Sequence, residues 1–127
     1  MLKSFLTTLA VMLFSILYSQ STTGKVSYYG AQHHGKKMAS GGVFNMWSMT
    51  CASNKYPLGT RLKVTNPEND KSVEVIVTDR GGFGKYGRIL DLSKGAFAKI
   101  ASVSKGVITV VINKITDDDL EIIPLKL

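Results

Sequence analysis

Between Gly24 and Asn113 the chain is a series of short β-branched runs, each broken by turn residues. Gly24-Lys-Val-Ser-Tyr-Tyr-Gly30 reads as a first short strand closed by glycine. Arg61-Leu-Lys-Val-Thr65 alternates apolar and polar residues as a half-buried strand does. Asn66-Pro-Glu-Asn-Asp70 is a polar turn leading into Ser72 to Thr78, so these two runs predict a hairpin. Arg88 to Leu92 and the very apolar Val107 to Ile112 add two further strands. Between them Ser93 is placed to cap a helix reaching about Ala101, with Ala96, Phe97 and Ile100 on one face. Trp47 to Ala52 is apolar and fits either a turn of helix or a short buried strand. Short strands with close turn signals and one short helix predict a small all-β barrel.

The 127 residues allow one domain with a single core. Lys3, the apolar run from Phe5 to Tyr18 and the small residues of Ser19-Gln-Ser21 have the pattern of a secretory signal peptide over residues 1–21. The barrel is then expected over 24–114, with a tail over 115–127. The apolar run is shorter than the roughly 20 residues a spanning helix needs, so no membrane anchor is expected after signal removal. No cysteine ends that run, which argues against a lipoprotein. The expected address is exported: periplasm, cell envelope or the medium. Cys51 is the sole cysteine, has no internal disulfide partner, and fits a small buried apolar residue better than a nucleophile.

Charge is uneven. The whole chain has a formal net charge of +7, and residues 21–114 carry 14 basic and 5 acidic residues, a balance of +9. Four acids, Asp117, Asp118, Asp119 and Glu121, sit in the tail. A basic surface attracts polyanions. No aromatic RNA-reading motif or zinc-finger spacing is present, so nucleic acid is not the expected partner. For an exported protein an anionic cell envelope is the economical one.

Val75-Ile-Val-Thr-Asp-Arg-Gly-Gly-Phe83 places a carboxylate, a guanidinium and two glycines at the end of a strand. Glycines there allow a sharp turn and close approach of a ligand. Asp79 is therefore expected at the lip of whatever the fold encloses.

Several motifs occur together in order: Val26-Ser-Tyr-Tyr-Gly30, Ala39-Ser-Gly41, Phe44-Asn-Met46, Tyr56-Pro-Leu-Gly-Thr60, Val64-Thr-Asn66, Ser72-Val73, Asp79-Arg-Gly81 and Gly87-Arg-Ile-Leu-Asp-Leu-Ser93. From about Gly24 to Asn113 the chain resembles the rare-lipoprotein-A (RlpA-like) group of double-psi β-barrels, related in fold to barwin and the expansins. The resemblance implies a six-stranded double-psi barrel with a groove across one face. It further implies endolytic lytic transglycosylase activity on peptidoglycan glycan strands, with 1,6-anhydro products. It also marks departures. The family's glutamate, aspartate and histidine positions are occupied here by Gly42, Asn45 and Ser53, and only Asp79 keeps the family residue.

Ordinary glycoside hydrolysis uses two carboxyl groups. Of the barrel's five acids, Glu68 and Asp70 lie in a polar turn, and Glu74 faces outward if Val73, Val75 and Val77 face in. Asp91 is expected to brace its turn by pairing with Arg80 or Arg88. Transglycosylation needs only one carboxyl, acting first as acid and then as base, and Asp79 is the expected catalytic residue. Tyr28, Tyr29, Ser40, Asn45, Ser53 and Arg80 are the expected substrate-binding residues. Adjacent strand residues face opposite ways, so one of the two tyrosines should belong to the core. Trp47 fits core and sugar platform equally well, and His33-His34 is too isolated a pair to bind metal. No cofactor and no metal are expected, and the protein is expected to be a monomer. The alternative is a non-catalytic, expansin-like barrel that binds wall glycan.

Overall fold

The computed structural model describes residues 21–82, 84 and 87–116; the expected signal peptide up to Gln20 and the acidic run of the tail lie outside these. Six strands are present: β1 (Ser21–Tyr29), β2 (Thr50–Ala52), β3 (Arg61–Asn66), β4 (Lys71–Asp79), β5 (Arg88–Ser93) and β6 (Ile108–Lys114). One helix, α1 (Lys94–Ile100), and a 3₁₀ turn (Val103–Lys105) lie between β5 and β6. The strands close into a barrel in the order β1-β5-β2-β4-β3-β6. β1–β5 and β2–β4 are parallel pairs, and the remaining pairs are antiparallel. This is the six-stranded double-psi β-barrel expected from the sequence.

The period-two alternation decides which side chains fill the interior. Val73, Val75 and Val77 of β4 point inward, as do Leu62 and Val64 of β3 and Leu90 and Leu92 of β5. Ser93 caps α1 by accepting the N–H of Ala96 at 3.1 Å, and Ala96, Phe97 and Ile100 are fully buried on the face that closes the barrel. Glu74 faces solvent, paired with Arg61 at 3.1 Å.

Three boundaries differ from the sequence expectation. β1 begins at Ser21, because Ser21 and Thr22 pair with Asn113 and Ile112 of β6. β6 correspondingly runs on to Lys114, opposite Leu62. Of the Trp47–Ala52 segment, Thr50–Ala52 is strand β2 and Trp47 is exposed in the preceding turn.

A second, smaller core lies outside the barrel wall. Tyr29 and Ala52, on the outward face of β1 and β2, pack with Phe44 of the β1–β2 loop. Phe44 is buried and stacks on Tyr29 with centroids 4.3 Å apart. The long Gly/Ser-rich loop is thereby pinned against the barrel, beside an open cleft.

Candidate active site

The cleft, about 290 Å³, is formed on the outward face of β1, β5, β2 and the end of β4. Strand register places its floor. Ser27 on β1 pairs with Asp91 on β5, Asp91 pairs with Ala52 on β2, and Ala52 pairs with Asp79 on β4. Both carboxylates and the alanine between them line the cleft. Two inter-strand spacings put the Asp79 and Asp91 backbones about 10 Å apart.

Asp79 stands where the sequence places it, at the end of β4. Its Oδ1 accepts the N–H groups of Ala39 (3.0 Å) and Arg80 (2.8 Å), and so ties the β1–β2 loop to the cleft rim. The following loop is held by a reciprocal pair: Asn54 Nδ2 donates to Gly81 O, and Gly81 N donates to Asn54 Oδ1.

The expected role of Asp91 as a turn brace paired with an arginine is corrected. Its Oδ1 accepts the Ser27 hydroxyl at 2.8 Å, and Ser27 Oγ in turn accepts a hydrogen bond from Arg88 Nη1. Burial raises the Asp91 pKa, outweighing the Ser27 hydrogen bond and the fields of Arg88 and His33, which pull it down. The cleft therefore contains a carboxyl whose pKa burial lifts above the ordinary carboxylate value.

Tyr29 lines the cleft and is 8% exposed. Burial, followed by the negative field of Asp79, raises its pKa. The Thr50 hydroxyl lies near enough to favour the phenolate, yet no hydrogen bond of normal length joins them, and both hydroxyls are buried without a partner among the described residues. Tyr28 is the core member of the pair: its ring packs on Phe97 at 4.8 Å and its hydroxyl donates to Val103 O. It does not reach the cleft.

Other expected binding residues are also placed elsewhere or already engaged. Ser53 is fully buried, and its Oγ accepts the N–H groups of Lys55 and Tyr56. Asn45 Oδ1 accepts the Trp47 N–H, fixing a turn. Ser40 lies in the exposed loop, held through its N–H to Thr78 O, and does not line the cleft. Arg80 borders the cleft, but its Nη1 donates to Ser53 O (2.6 Å) and Tyr56 O (2.8 Å), so it braces the wall.

His33 lines the cleft with its ring edge-on to Tyr29, whereas His34 turns away and accepts the Met46 N–H on Nδ1. Sequence reasoning missed His33 as a cleft residue; the signal was its place directly after the β1 turn, where His33 N–H bonds Gly30 O. Cys51 points into the barrel, and burial pushes its thiol up to about 12, so it is inert as a nucleophile. Among the described residues no cluster of His, Cys, Asp and Glu is arranged to hold a metal ion.

The family model for lytic transglycolases matches residues 21–112, all of the barrel but the last two residues of β6. The chain belongs to this family. Among its relatives is the endolytic peptidoglycan transglycosylase RlpA of Vibrio cholerae, 45% identical over 96 residues, covering 76% of this chain and 36% of that protein. RlpA of Campylobacter jejuni is 41% identical over 91 residues, 72% of this chain and 33% of that protein. The chain thus spans about a third of the length of these curated relatives. Solved structures with a similar fold include two at more than 25% identity. The Streptomyces papain inhibitor has a TM-score of 0.62 at 27% identity, covering 76% of this chain and 96% of that one. Clavibacter michiganensis expansin has a TM-score of 0.61 at 26% identity, covering 76% and 51%.

Proposed function

We propose that this barrel is an exported lytic transglycosylase that cleaves peptidoglycan glycan strands, working in the periplasm or cell envelope. The observation that carries the reading is the half-buried Asp91 carboxyl lining the cleft, aligned by Ser27 and with its pKa raised by burial. Membership of the family supports the reaction class.

Protonated Asp91 gives its proton to the glycosidic oxygen as the C1–O bond breaks, and the leaving sugar departs with a free hydroxyl. Positive charge develops on the ring, and the Asp79 carboxylate at the other end of the cross-strand row stabilises it. The C6 hydroxyl of the same ring then attacks C1 and loses its proton to Asp91, regenerating the acid. The product is a 1,6-anhydro sugar and no water is consumed. Asp79, the carboxylate first expected to do the proton transfer, serves here as the fixed charge and rim anchor.

The test is to incubate the purified protein with peptide-free glycan strands and follow soluble fragments. Release of fragments is expected. Retention on the strands without release would favour the second reading, a wall-binding barrel. That reading draws support from the loop over residues 36–46, which presents no acid to the cleft: Gly42 has no side chain and Asn45 is engaged in its turn.

A further inference from the structure

Trp47 is the only tryptophan in the chain, and its side chain is 56% exposed. An indole offers a large apolar face together with one polar N–H, the combination enriched where proteins meet ligands and partners. This one is on a rigid mount. Its N–H bonds Asn45 Oδ1 at 2.9 Å, and Ser48 N bonds Asn45 O at 3.1 Å. Ser93 Oγ donates to Ser48 O, and Gly95 N donates to Met46 O at 2.8 Å. The start of α1 lies directly against the Trp47 backbone: a Cβ on Gly95 would stand 2.6 Å from the Trp47 carbonyl oxygen, so only glycine fits there.

The exposed indole has a cation over its ring, Lys94 Nζ at 5.6 Å from the centroid, on a flexible stem. It is also connected to the cleft. The Lys94 side chain lies against Gly30, whose carbonyl accepts the N–H of His33, and His33 lines the cleft. The Lys94 stem thus links the indole to Gly30, the residue that holds His33 at the cleft.

We propose that Trp47 and Lys94 form a separate saccharide subsite beyond the His33 end of the cleft, taking a carboxylate-bearing sugar of the bound strand. The apolar face of a pyranose ring takes the place of the Lys94 ammonium on the indole, and the ammonium, on its flexible stem, moves aside to meet the sugar's carboxylate. A fixed aromatic face lowers the entropy lost on binding. The subsite rests on the reading of the cleft as a glycan-strand site.

Because Trp47 is the sole indole, its emission reports the subsite directly. The protein is titrated with peptide-free glycan strands, whose muramic residues each carry a carboxylate, and separately with neutral chitin oligosaccharides. A blue shift saturating with the acidic strands at lower concentration than with chitin is expected. Lys94→Met should remove that preference, and Trp47→Ala should weaken strand binding in sedimentation about tenfold, as loss of one aromatic anchor does. Unchanged emission while the strands sediment with the protein, or unchanged binding by Trp47→Ala, would overturn the subsite and leave the cleft reading standing. Failure to bind either glycan at all would overturn both.

Discussion

Asp91 and Asp79 share one cross-strand row, each paired with Ala52 from opposite sides. The residue between them is the smallest that carries a Cβ, and it forms the cleft floor. A larger side chain there fills the space a sugar must enter. Ala52→Leu is expected to abolish fragment release, while Ala52→Ser retains it. Activity from a folded Ala52→Leu protein, checked by its melting curve, would contradict this placement of the substrate.

The proposed mechanism gives the two carboxylates different tasks, so their amides should fail differently. Asp91→Asn keeps an acceptor for Ser27 but has no proton to give, and turnover should fall by at least about a hundredfold, the lower range for a lost general acid. Asp79→Asn retains an acceptor oxygen for Ala39 and Arg80, so strand binding should persist while kcat drops. Equal activity of Asp91→Asn and wild type would transfer the acid role to Asp79.

The pH dependence follows from the raised pKa of Asp91. The acid must be protonated, so activity declines as pH rises through the Asp91 pKa. The charged or titratable groups set around it are Arg88 on β5, Tyr29 on β1, Cys51 on β2, Asp79 and Arg80 at the end of β4, and His33. His33 and Arg88 pull the value down. His33→Gln should therefore shift the alkaline limb of the pH–rate profile upward, and His33→Lys should shift it downward. Stability has a matching sign. A carboxyl whose pKa is raised on folding contributes its stability in full below the unfolded value, about 3.9, and loses it as pH rises through the folded value. The melting temperature of Asp91→Asn should thus overtake wild type as pH rises above that range.

Arg80 is expected to matter through the fold. Its Nη1 joins two backbone carbonyls across the β2–β3 turn, held there by a rigid planar group that the flexible lysine stem does not replace. Arg80→Ala should cost about 1–3 kcal/mol in chemical denaturation, the range for hydrogen bonds from a charged group, and Arg80→Lys should recover little of it. A purely binding role would leave stability untouched.

The barrel was legible because alternation along a strand fixes which side chains meet inside, as for Val73, Val75 and Val77. Alternation also required one of Tyr28 and Tyr29 to be core, but which one depends on whether Phe97 or Phe44 is the neighbour. Those contacts are long-range. Asp91 was misread for the same reason: its partner Ser27 is 64 residues away and meets it only through the parallel β1–β5 pairing. Ser53 was misread for a local reason, since a short polar side chain that bonds backbone N–H groups two and three residues on is indistinguishable by composition from one that faces a ligand.

The central claim is that one proton-bearing carboxyl, Asp91, cleaves glycan by intramolecular attack. Mass spectrometry of the fragments released from peptide-free strands tests it most directly. Ends in 1,6-anhydromuramic acid are expected, lost together with turnover in Asp91→Asn. Reducing ends, which require an activated water, would contradict it.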